Sequence, residues 1–303
     1  MHYHAQISSQ NINSSEDIKI CRFCKNRNIT KRGQRKTQNR GFVQRYFCKI
    51  CNKRFVLDDG FLKKKNNSDK ITQAIHLYFS GASLRKSQEH LGVFHPHNAS
   101  HMTILRWIRE YASLVGNYVD NLKVNNSDSI SFDEMEYKTK GKQSFFIDVI
   151  DMDTRYMLSS GYYRNRGMEE LREVLKGARN KSLNKTTKFY TDGLMAYPQA
   201  LRKEYSFNKH RKEFLHKITR STDKAFNWKI ERLHNNIRER TKIMRQFKSV
   251  KSAKDIMKGY EIYYNFCRKH QALGKYPYEV AIPSLQLGKN KWLDLIKLSN
   301  QKK

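Results

Sequence analysis

Two short cysteine pairs constrain the fold of this chain more than any other sequence feature. Cys21 and Cys24 lie in the run CRFC, and Cys48 and Cys51 lie in YFCKICNKRF, about twenty residues downstream. Each pair can aim two sulfurs at one ion, and four thiolates in a tetrahedron are a ligand set of structural Zn²⁺. Two disulfides or four unconnected thiols are the alternatives, and free thiols would leave the segment without an obvious means of folding. We therefore predict a zinc ribbon over residues 21–62.

The charge of the chain indicates a polyanionic partner. Lys and Arg number 60 against 28 Asp and Glu in 303 residues, which gives a formal net charge of +32. Nucleic acid is the commonest partner of so basic a chain, and an anionic membrane surface is the alternative. No stretch approaches the roughly 18 apolar residues of a spanning helix, and the polar residues 1–20 lack a signal-peptide pattern. We expect a cytoplasmic protein that binds nucleic acid and has a flexible N-terminus.

Residues 68–116 have the pattern of three helices. Apolar residues recur at helical spacing in 68–81, 82–92 and 98–116, and Gly81 separates the first two. A helix, a glycine turn, a short helix, a loop and a longer helix are the layout of a helix-turn-helix DNA-binding domain. An ordinary three-helix packing unit is the alternative. In the DNA-binding interpretation, three residues near the start of the last helix would face the groove, namely His101, Thr103 and Arg106.

After a turn-rich linker at 117–129, the pattern changes to that of an α/β domain. Strand-like runs cover residues 130–137, 144–151, 154–163 and 187–193, with an amphipathic helix at 167–180 before the last of them. From residue 223 to about 270 the chain is largely helical, with an interruption near 247–251. Three consecutive strands, a helix and another strand predict a mixed sheet flanked by helices.

Three acids of this domain occupy positions where catalysis would use them. Asp133 lies in the first strand, and Asp192 follows the strand KFYT, at the carboxyl edge where the active sites of α/β sheets gather. Glu231 lies on the helix NWKIERLHNNIRER. Glu134, beside Asp133, should point to the opposite face of its strand, so that only one of the two can enter a given site.

Glu231 belongs to a polar stripe of its helix. Glu231, His234, Asn235 and Arg238 recur at i, i+3, i+4 and i+7, next to a stripe of apolar residues. Converging carboxylates bind Mg²⁺ or Mn²⁺, and two such ions about 4 Å apart can assist a phosphodiester displacement. These observations suggest a metal-dependent nuclease site.

Each of these residues also has a structural interpretation. Asp133 could be a surface acid, Asp192 a turn residue, and Glu231 a partner of nearby arginines. Three other acids compete as ligands, namely Asp148, Asp151 and Asp153. Cys267 is expected to be a packed thiol on an apolar helix face rather than a nucleophile, and tyrosine or serine nucleophiles stay open alternatives.

The order of these motifs resembles the DDE transposases of bacterial and archaeal insertion sequences. The resemblance rests on a zinc ribbon, a helix-turn-helix, and then SFDEMEYKTKGKQSFFIDVIDMDTR, FYTDGLMAY and NWKIERLHNNIRERTKIMRQFKS. The tail YNFCRKHQALGKYPYEVA is similar to the end of the same domain in transposases and retroviral-type integrases. The resemblance covers about residues 20–282 and implies an RNase H-like catalytic domain without a large insertion, here at 130–282, followed by a basic tail at 283–303.

The resemblance also implies roles for individual residues. The catalytic acids fall on Asp133 within DE, Asp192 within TDG and Glu231 within IER, where they would hold two Mg²⁺ or Mn²⁺ ions. The family's basic residue two turns beyond its glutamate falls on Arg238, which we expect to contact DNA together with His234. The spacing between Asp192 and Glu231 is slightly longer than is usual in this branch, and we assign the extra length to the basic loop at 208–217.

The function expected from the resemblance is that of a DNA transposase. It would bind the terminal inverted repeats of its element through the ribbon and the helix-turn-helix, cut one strand at each end, and transfer the 3′-hydroxyl to target DNA. Its partners would be double-stranded DNA and a second copy of the chain. The lysines of 242–258 would also contact DNA phosphates. The protein would act on the nucleoid in the cytoplasm. A catalytically silent DNA-binding regulator and an RNase H-type nuclease are the alternatives.

Overall fold

The computed structural model describes residues 19–37, 41–95, 99–206, 214–218, 228–244 and 246–301. The strands are β1 Ile29–Thr37, β2 Gly41–Cys48, β3 Arg54–Phe55, β4 Ser129–Thr139, β5 Lys142–Asp151, β6 Met157–Tyr163, β7 Lys188–Thr191 and β8 Leu215–Ile218. The helices are α1 Ser68–Phe79, α2 Leu84–Phe94, α3 His101–Val119, α4 Met168–Lys181, α5 Ala196–Tyr205, α6 Trp228–Lys242, α7 Val250–Ile262, α8 Pro277–Ala281 and α9 Lys291–Gln301. A π-helical turn at Tyr263–Cys267 extends α7. Within these residues, no helix combines the length and apolarity needed to cross a membrane.

Two of the sequence predictions lie largely outside the described residues. The flexible N-terminus expected at 1–20 is described only at 19 and 20, and most of the basic loop expected at 208–217 is not described. The described end of that loop is β8, which therefore belongs to the sheet of the α/β domain.

The N-terminal ribbon is a three-stranded antiparallel sheet in the order β1-β2-β3. Its core is small and consists of the buried side chains of Cys21, Tyr46, Cys48 and Phe55. So few apolar side chains cannot offset the entropy of ordering this segment, and a structural metal is the usual remedy in modules of this size.

The three helices predicted for 68–116 are present as α1, α2 and α3. The side chains of Asn67, Ser83 and Ser100 cap them by accepting hydrogen bonds from backbone N–H groups of their first turns. Helix α2 runs past the predicted stop at Gly92 and ends at Phe94. Apolar side chains of α1 and α3 are fully buried in the main core, so the three helices pack as one unit.

Helix α9 joins this helical unit from the other end of the chain. Trp292 stacks on Phe79 of α1 with ring centroids 5.7 Å apart, and Leu295 and Ile296 are fully buried. Residues 283–303, expected to be a basic tail, thus contain a helix whose apolar face is part of the core.

The central sheet has five strands in the order β6-β5-β4-β7-β8. Strands β4, β5 and β6 form an antiparallel meander, while β7 pairs with β4, and β8 with β7, in parallel. Numbered within the domain this order is 3-2-1-4-5, and the predicted α/β fold class, an RNase H-like mixed sheet flanked by helices, is confirmed.

Helices cover both faces of the sheet at β4. Side chains alternate along the strand, so Phe132 and Asp133 point to opposite faces. The ring of Phe132 packs against Tyr197 of α5, with centroids 4.8 Å apart. On the other face, Asp133 meets His234 of α6. Phe132 therefore faces α5, and Asp133 faces α6.

A network of ion pairs, in which Lys181 and Glu261 are buried, joins the helical unit to the α/β domain. Lys181 at the end of α4 lies 2.7 Å from Asp120 at the end of α3 and 3.3 Å from Glu261 of α7. Lys258 pairs with the same two acids at 2.6 and 2.9 Å. Because removing one member would leave a buried charge unpaired, the network holds the two units in a defined orientation.

Candidate active site

Three carboxylates meet where β7 ends beside the middle of β4. Asp133, Glu134 and Asp192 each place an oxygen within 4.8 Å of an oxygen of the other two. The register of the parallel pair explains this proximity, because Ser131 lies opposite Tyr190 and the next residues of both strands bring the acids side by side. The structure therefore brings Asp133 and Asp192 together, as the sequence predicts for these two residues.

Glu134 belongs to this carboxylate cluster, and the expectation that only one of the neighbours Asp133 and Glu134 can enter a site is wrong. The two side chains do alternate along β4, but the pairing of β4 with β7 has ended at this point, so both carboxylates can reach the space beyond the last residue of β7. Arg166 donates a 2.7 Å hydrogen bond from Nη1 to Glu134, and the Tyr197 hydroxyl donates another. The sequence does not identify Arg166 and Tyr197 as site residues, because nothing in their local sequence indicates a contact with β4.

Asp133 is held in an environment that disfavours its charge. The backbone N–H of Glu134 donates to its Oδ1 at 2.9 Å. Burial raises the pKa of Asp133 to about 7, against the opposing effect of His234, and the neighbouring charges of Asp148 and Glu134 raise it further. A divalent cation would relieve this repulsion, so the donor set fits Mg²⁺ or Mn²⁺.

Asp192 is positioned by the turn that follows β7. Its Oδ1 accepts a 2.9 Å hydrogen bond from the backbone N–H of Leu194, and its side chain is half-buried. Gly193 between them has no heavy atom within 4 Å of the place of a side chain. The turn thus leaves open space beside the carboxylate.

His234 lies inside the protein, although the sequence suggests that it contacts DNA. Its side chain is 3% exposed, with Nε2 2.8 Å from Asp148 Oδ1 and Nδ1 3.7 Å from Asp133 Oδ2. Burial works against the charged ring, but these two carboxylates raise the pKa of His234 above its ordinary value. A ring in this place faces the carboxylate cluster rather than the protein surface.

Glu231 and Arg238 lie on the exposed side of α6. Glu231 is in the first turn and is not a member of the carboxylate cluster in the part of the chain that the structure describes. Arg238 donates a 3.2 Å hydrogen bond to Asn235 Oδ1. It also lines a groove of about 560 Å³ together with Tyr137 and Phe247. Both side chains are therefore accessible to a ligand that approaches α6.

The competing residues have structural partners or lie apart. Asp151 accepts hydrogen bonds from Ser127 and Thr154 and organises a turn. Asp148 is paired with His234, and Asp153 is exposed outside the carboxylate cluster. Cys267 is buried, and burial raises the pKa of its thiol, as expected for a packed side chain.

The four cysteines of the two Cys-x-x-Cys motifs lie close together and form no disulfide. Each offers a sulfur within 4.8 Å of the other three, with Cys21 to Cys51 at 3.6 Å and Cys24 to Cys48 at 3.5 Å. Sulfurs of a tetrahedral Zn²⁺ site lie roughly 3.8 Å apart. Burial opposes ionisation, but backbone hydrogen bonds from Cys24 and Phe23 lower the pKa of Cys21 to about 6, whereas burial raises that of Cys51 to about 12. The convergence of the four sulfurs, with Cys21 and Cys48 buried, fits a zinc ion.

The three residues predicted to face DNA lie at the start of α3. Arg106 is exposed, and His101 and Thr103 are half-buried. The Thr103 backbone N–H donates to the capping Ser100 hydroxyl at 3.2 Å, and that of His101 donates to Gln88 of α2 at 2.9 Å. The first turn of α3 is thus rigidly joined to α2, and its outer side chains reach solvent.

A family model matches the central part of the chain. Residues 127–270 match the family model DDE_Tnp_IS240, described as a DDE domain. No curated protein sequence matches the chain.

Several solved structures are similar to parts of the chain. The integrase catalytic core domain of HTLV-2, in complex with magnesium, is 14% identical, with a TM-score of 0.38 over 52% of this chain and 98% of that chain. A chain of the simian T-cell lymphotropic virus intasome is 11% identical, with a TM-score of 0.39 over 69% and 73%. The catalytic core domain of BIV integrase is 8% identical, with a TM-score of 0.37 over 51% and 94%.

Proposed function

We propose, from the premise that residues 127–270 of this chain are a DDE transposase domain, that the protein binds the ends of a mobile DNA element and moves them into new DNA. The chemistry of the domain is metal-dependent polynucleotidyl transfer. The observation that carries the proposal is the proximity of Asp133, in the middle of β4, and Asp192, directly after β7, within the matched residues.

The residues proposed to hold the metal are Asp133, Asp192 and Glu231. Two Mg²⁺ or Mn²⁺ ions, when bound, would supply positive charge that stabilises the attacking and leaving oxygens of an in-line displacement at phosphorus. Glu231 lies one helical turn before His234, whose Nδ1 is 3.7 Å from Asp133, and joining the carboxylate cluster would require its side chain to rearrange. Glu134 lies in the same cluster as a further neighbour.

The proposed reaction has two steps without a covalent protein intermediate. Water first displaces the 3′-oxygen of the strand at each element end, which releases a 3′-hydroxyl. That hydroxyl then attacks a phosphodiester of the target DNA and displaces the 3′-oxygen of the target strand, so that the element's 3′ end becomes joined to the target's 5′-phosphate. Both steps are displacements at phosphorus, so one set of carboxylates can serve both.

Recognition of the element ends is proposed for the N-terminal modules. The exposed Arg106 and the half-exposed His101 and Thr103 would enter the major groove of the terminal inverted repeats. The net charge of +32 supports phosphate contacts along the remaining surface, with Arg238 and the lysines of 242–258 beside the active site. Pairing two ends requires at least a homodimer, and the nucleoid in the cytoplasm is the proposed place of action.

Replacing Asp192 by Asn tests the proposal. The full chain is incubated with Mg²⁺ and duplex DNA that carries the inverted repeats flanking its gene, and end binding, cleavage and strand transfer are measured. D192N should bind ends like the wild type and lose cleavage and transfer by at least about a thousandfold, because transition-state charge stabilisation is lost. Asp153→Asn, an exposed acid outside the cluster, is the matched control and should keep both activities. Transfer by D192N at the wild-type rate would reject the assignment.

A further inference from the structure

The active-site face of the sheet holds a buried ion pair that the proposed reaction does not use. Asp148 is fully buried and His234 is 3% exposed, with Nε2 and Oδ1 2.8 Å apart. Desolvating a carboxylate and an imidazole is costly, and buried charges are uncommon unless they are paired. The second oxygen of Asp148, Oδ2, has no hydrogen-bond partner in the described part of the chain. The buried pair next to the carboxylate cluster thus carries a large desolvation free energy.

The position of this pair follows from the strand register. Asp148 of β5 lies directly opposite Asp133 of β4, so both carboxylates project from the same face of the sheet. The ring of His234 enters between them from α6, with Nδ1 3.7 Å from Asp133 Oδ2. Both neighbours are carboxylates, which can accept hydrogen bonds, so both ring nitrogens point at acceptors. One side chain therefore connects α6, β4 and β5 at the site.

We propose that Asp148 and His234 are positioning residues that orient Asp133 for metal binding. Asp148 accepts from Nε2–H and fixes the plane of the imidazole. The ring then keeps Nδ1 beside one oxygen of Asp133, at 3.7 Å, so that the other oxygen faces Glu134 and Asp192. Carboxylate–histidine pairs commonly orient metal ligands in this manner. The inference rests on the proposed function, since it gives Asp133 a metal to bind.

The same contact sets the rotation of α6. Glu231 lies one turn before His234 on the same stripe, and Arg238 lies one turn after it. Because the His234 ring is held between two strands, the side chains of Glu231 and Arg238 keep a defined direction relative to the carboxylate cluster. The orientation of Asp133 and the placement of Glu231 are therefore linked through one residue.

Other contacts support α6 without His234, so variants at this position can fold. Ile230, Leu233 and Ile237 bury the apolar stripe of the helix. Lys229 donates to the Met152 carbonyl at 2.8 Å, and Arg268 donates to Asn236 at 3.0 Å. Replacing both members of a buried pair by apolar residues is often neutral or stabilising, because no charge is left unpaired. A double variant can thus remove the pair and keep the fold.

The test measures Mn²⁺ binding to the full, zinc-loaded chain without DNA, by isothermal titration calorimetry and by the electron paramagnetic resonance signal of free Mn²⁺. The double variant His234→Leu with Asp148→Val should keep a cooperative thermal transition and lose about 10- to 100-fold in Mn²⁺ affinity, as is usual when the partners of a ligand are removed. Asp148→Asn keeps an oxygen that can accept from Nε2–H, and should stay within about threefold of the wild type.

The matched control removes a different buried pair. Lys181→Met with Glu261→Gln breaks the network between the helical unit and the α/β domain, and should change the melting temperature without changing the Mn²⁺ affinity. Unchanged Mn²⁺ affinity in the His234 and Asp148 double variant, or an equal loss in the control, would overturn this inference and leave the D192N result untouched. A wild-type chain that binds no Mn²⁺ would overturn the proposed function, and this inference with it.

Discussion

Arg238 extends from α6 into solvent, and its hydrogen-bond partner within the described residues is a neutral amide rather than a carboxylate. A guanidinium in this position is available to a DNA phosphate. We expect Arg238→Gln to weaken binding to all DNA sequences alike and to reduce the slope of log K against log salt concentration by about 1. Filter binding or fluorescence anisotropy at several salt concentrations measures this slope.

The control for Arg238 is Lys176→Gln. Lys176 is an exposed cation on α4, which packs on β6 at the far edge of the sheet from β7 and β8. Its replacement should leave both the affinity and the salt slope unchanged. An unaltered salt slope in the Arg238 variant would show that this side chain does not contact phosphate.

We expect His270 to make the stability of the fold depend on pH. Burial lowers its pKa to about 4, and the nearby charges of Arg155, Arg268 and Arg232 lower it further. The unfolded chain has an ordinary histidine pKa of about 6.5. The ring is therefore neutral in the fold, and its contribution is full above pH 6.5 and is lost as the pH falls from about 6.5 to about 4.

His270→Gln removes this titration. The free energy of unfolding of the wild type should fall more steeply than that of the variant between pH 6.5 and 4, and the two slopes should agree above pH 7. Urea denaturation at several pH values measures both slopes. Identical slopes in the acid range would contradict the depressed pKa of His270.

At the residue scale, the sequence predicts those site residues whose position follows from one element. Asp192 ends a short apolar strand before Gly193, so its delivery to the sheet edge can be inferred from local pattern alone. The contacts of Glu134 with Arg166 and Tyr197 cannot be inferred from local pattern. They depend on the loop after β6 and on helix α5, both of which pack next to β4 in the folded chain. The burial of His234 likewise depends on which side of α6 meets the sheet.

At the element scale, the zinc ribbon should depend on its metal. Its small core is separate from the main core, which includes side chains of both the helical unit and the α/β domain. Chelation of zinc should therefore unfold residues 21–57 and leave the remaining transition unchanged. Amide hydrogen exchange with and without a chelator tests this, with about one zinc released per chain in a colorimetric assay.

A serine substitution provides a second test of the ribbon. Cys24→Ser should lower the zinc content, since a hydroxyl does not replace a thiolate at such a site. Cys267→Ser is the matched control, because Cys267 lies in the main core and not with the four thiols. If the backbone amides of the ribbon stayed fully protected from hydrogen exchange after zinc removal, the predicted dependence of the ribbon on zinc would be contradicted.

The helices and strands could largely be predicted from the sequence, but the elements against which each of them packs could not. The alternation of β4, the apolar run of β5 and the caps of α2 and α3 are local signals, and they predict the existence of these elements. The docking of α9 on α1 depends on Trp292 meeting Phe79 across more than two hundred residues. Sequence periodicity identifies the apolar face of such a helix but not the surface that covers it.

At the scale of the whole molecule, charge and architecture have distinct roles. The excess of Lys and Arg favours a polyanionic partner, such as the DNA proposed above, but carries no information about the reaction. The ion-pair network of Asp120, Lys181, Lys258 and Glu261 joins the helical unit to the α/β domain. DNA held by α3 would thus be presented in a defined direction to the carboxylates of β4 and β7.

The central claim is that these carboxylates hold divalent ions. Crystals of the full chain soaked in Mn²⁺ and measured at the manganese absorption edge test it most directly. We expect an anomalous peak within roughly 2.5 Å of a carboxylate oxygen of both Asp133 and Asp192, and its loss in crystals of the Asp192→Asn variant. Saturating Mn²⁺ with no anomalous density at these oxygens in the wild type would contradict the account.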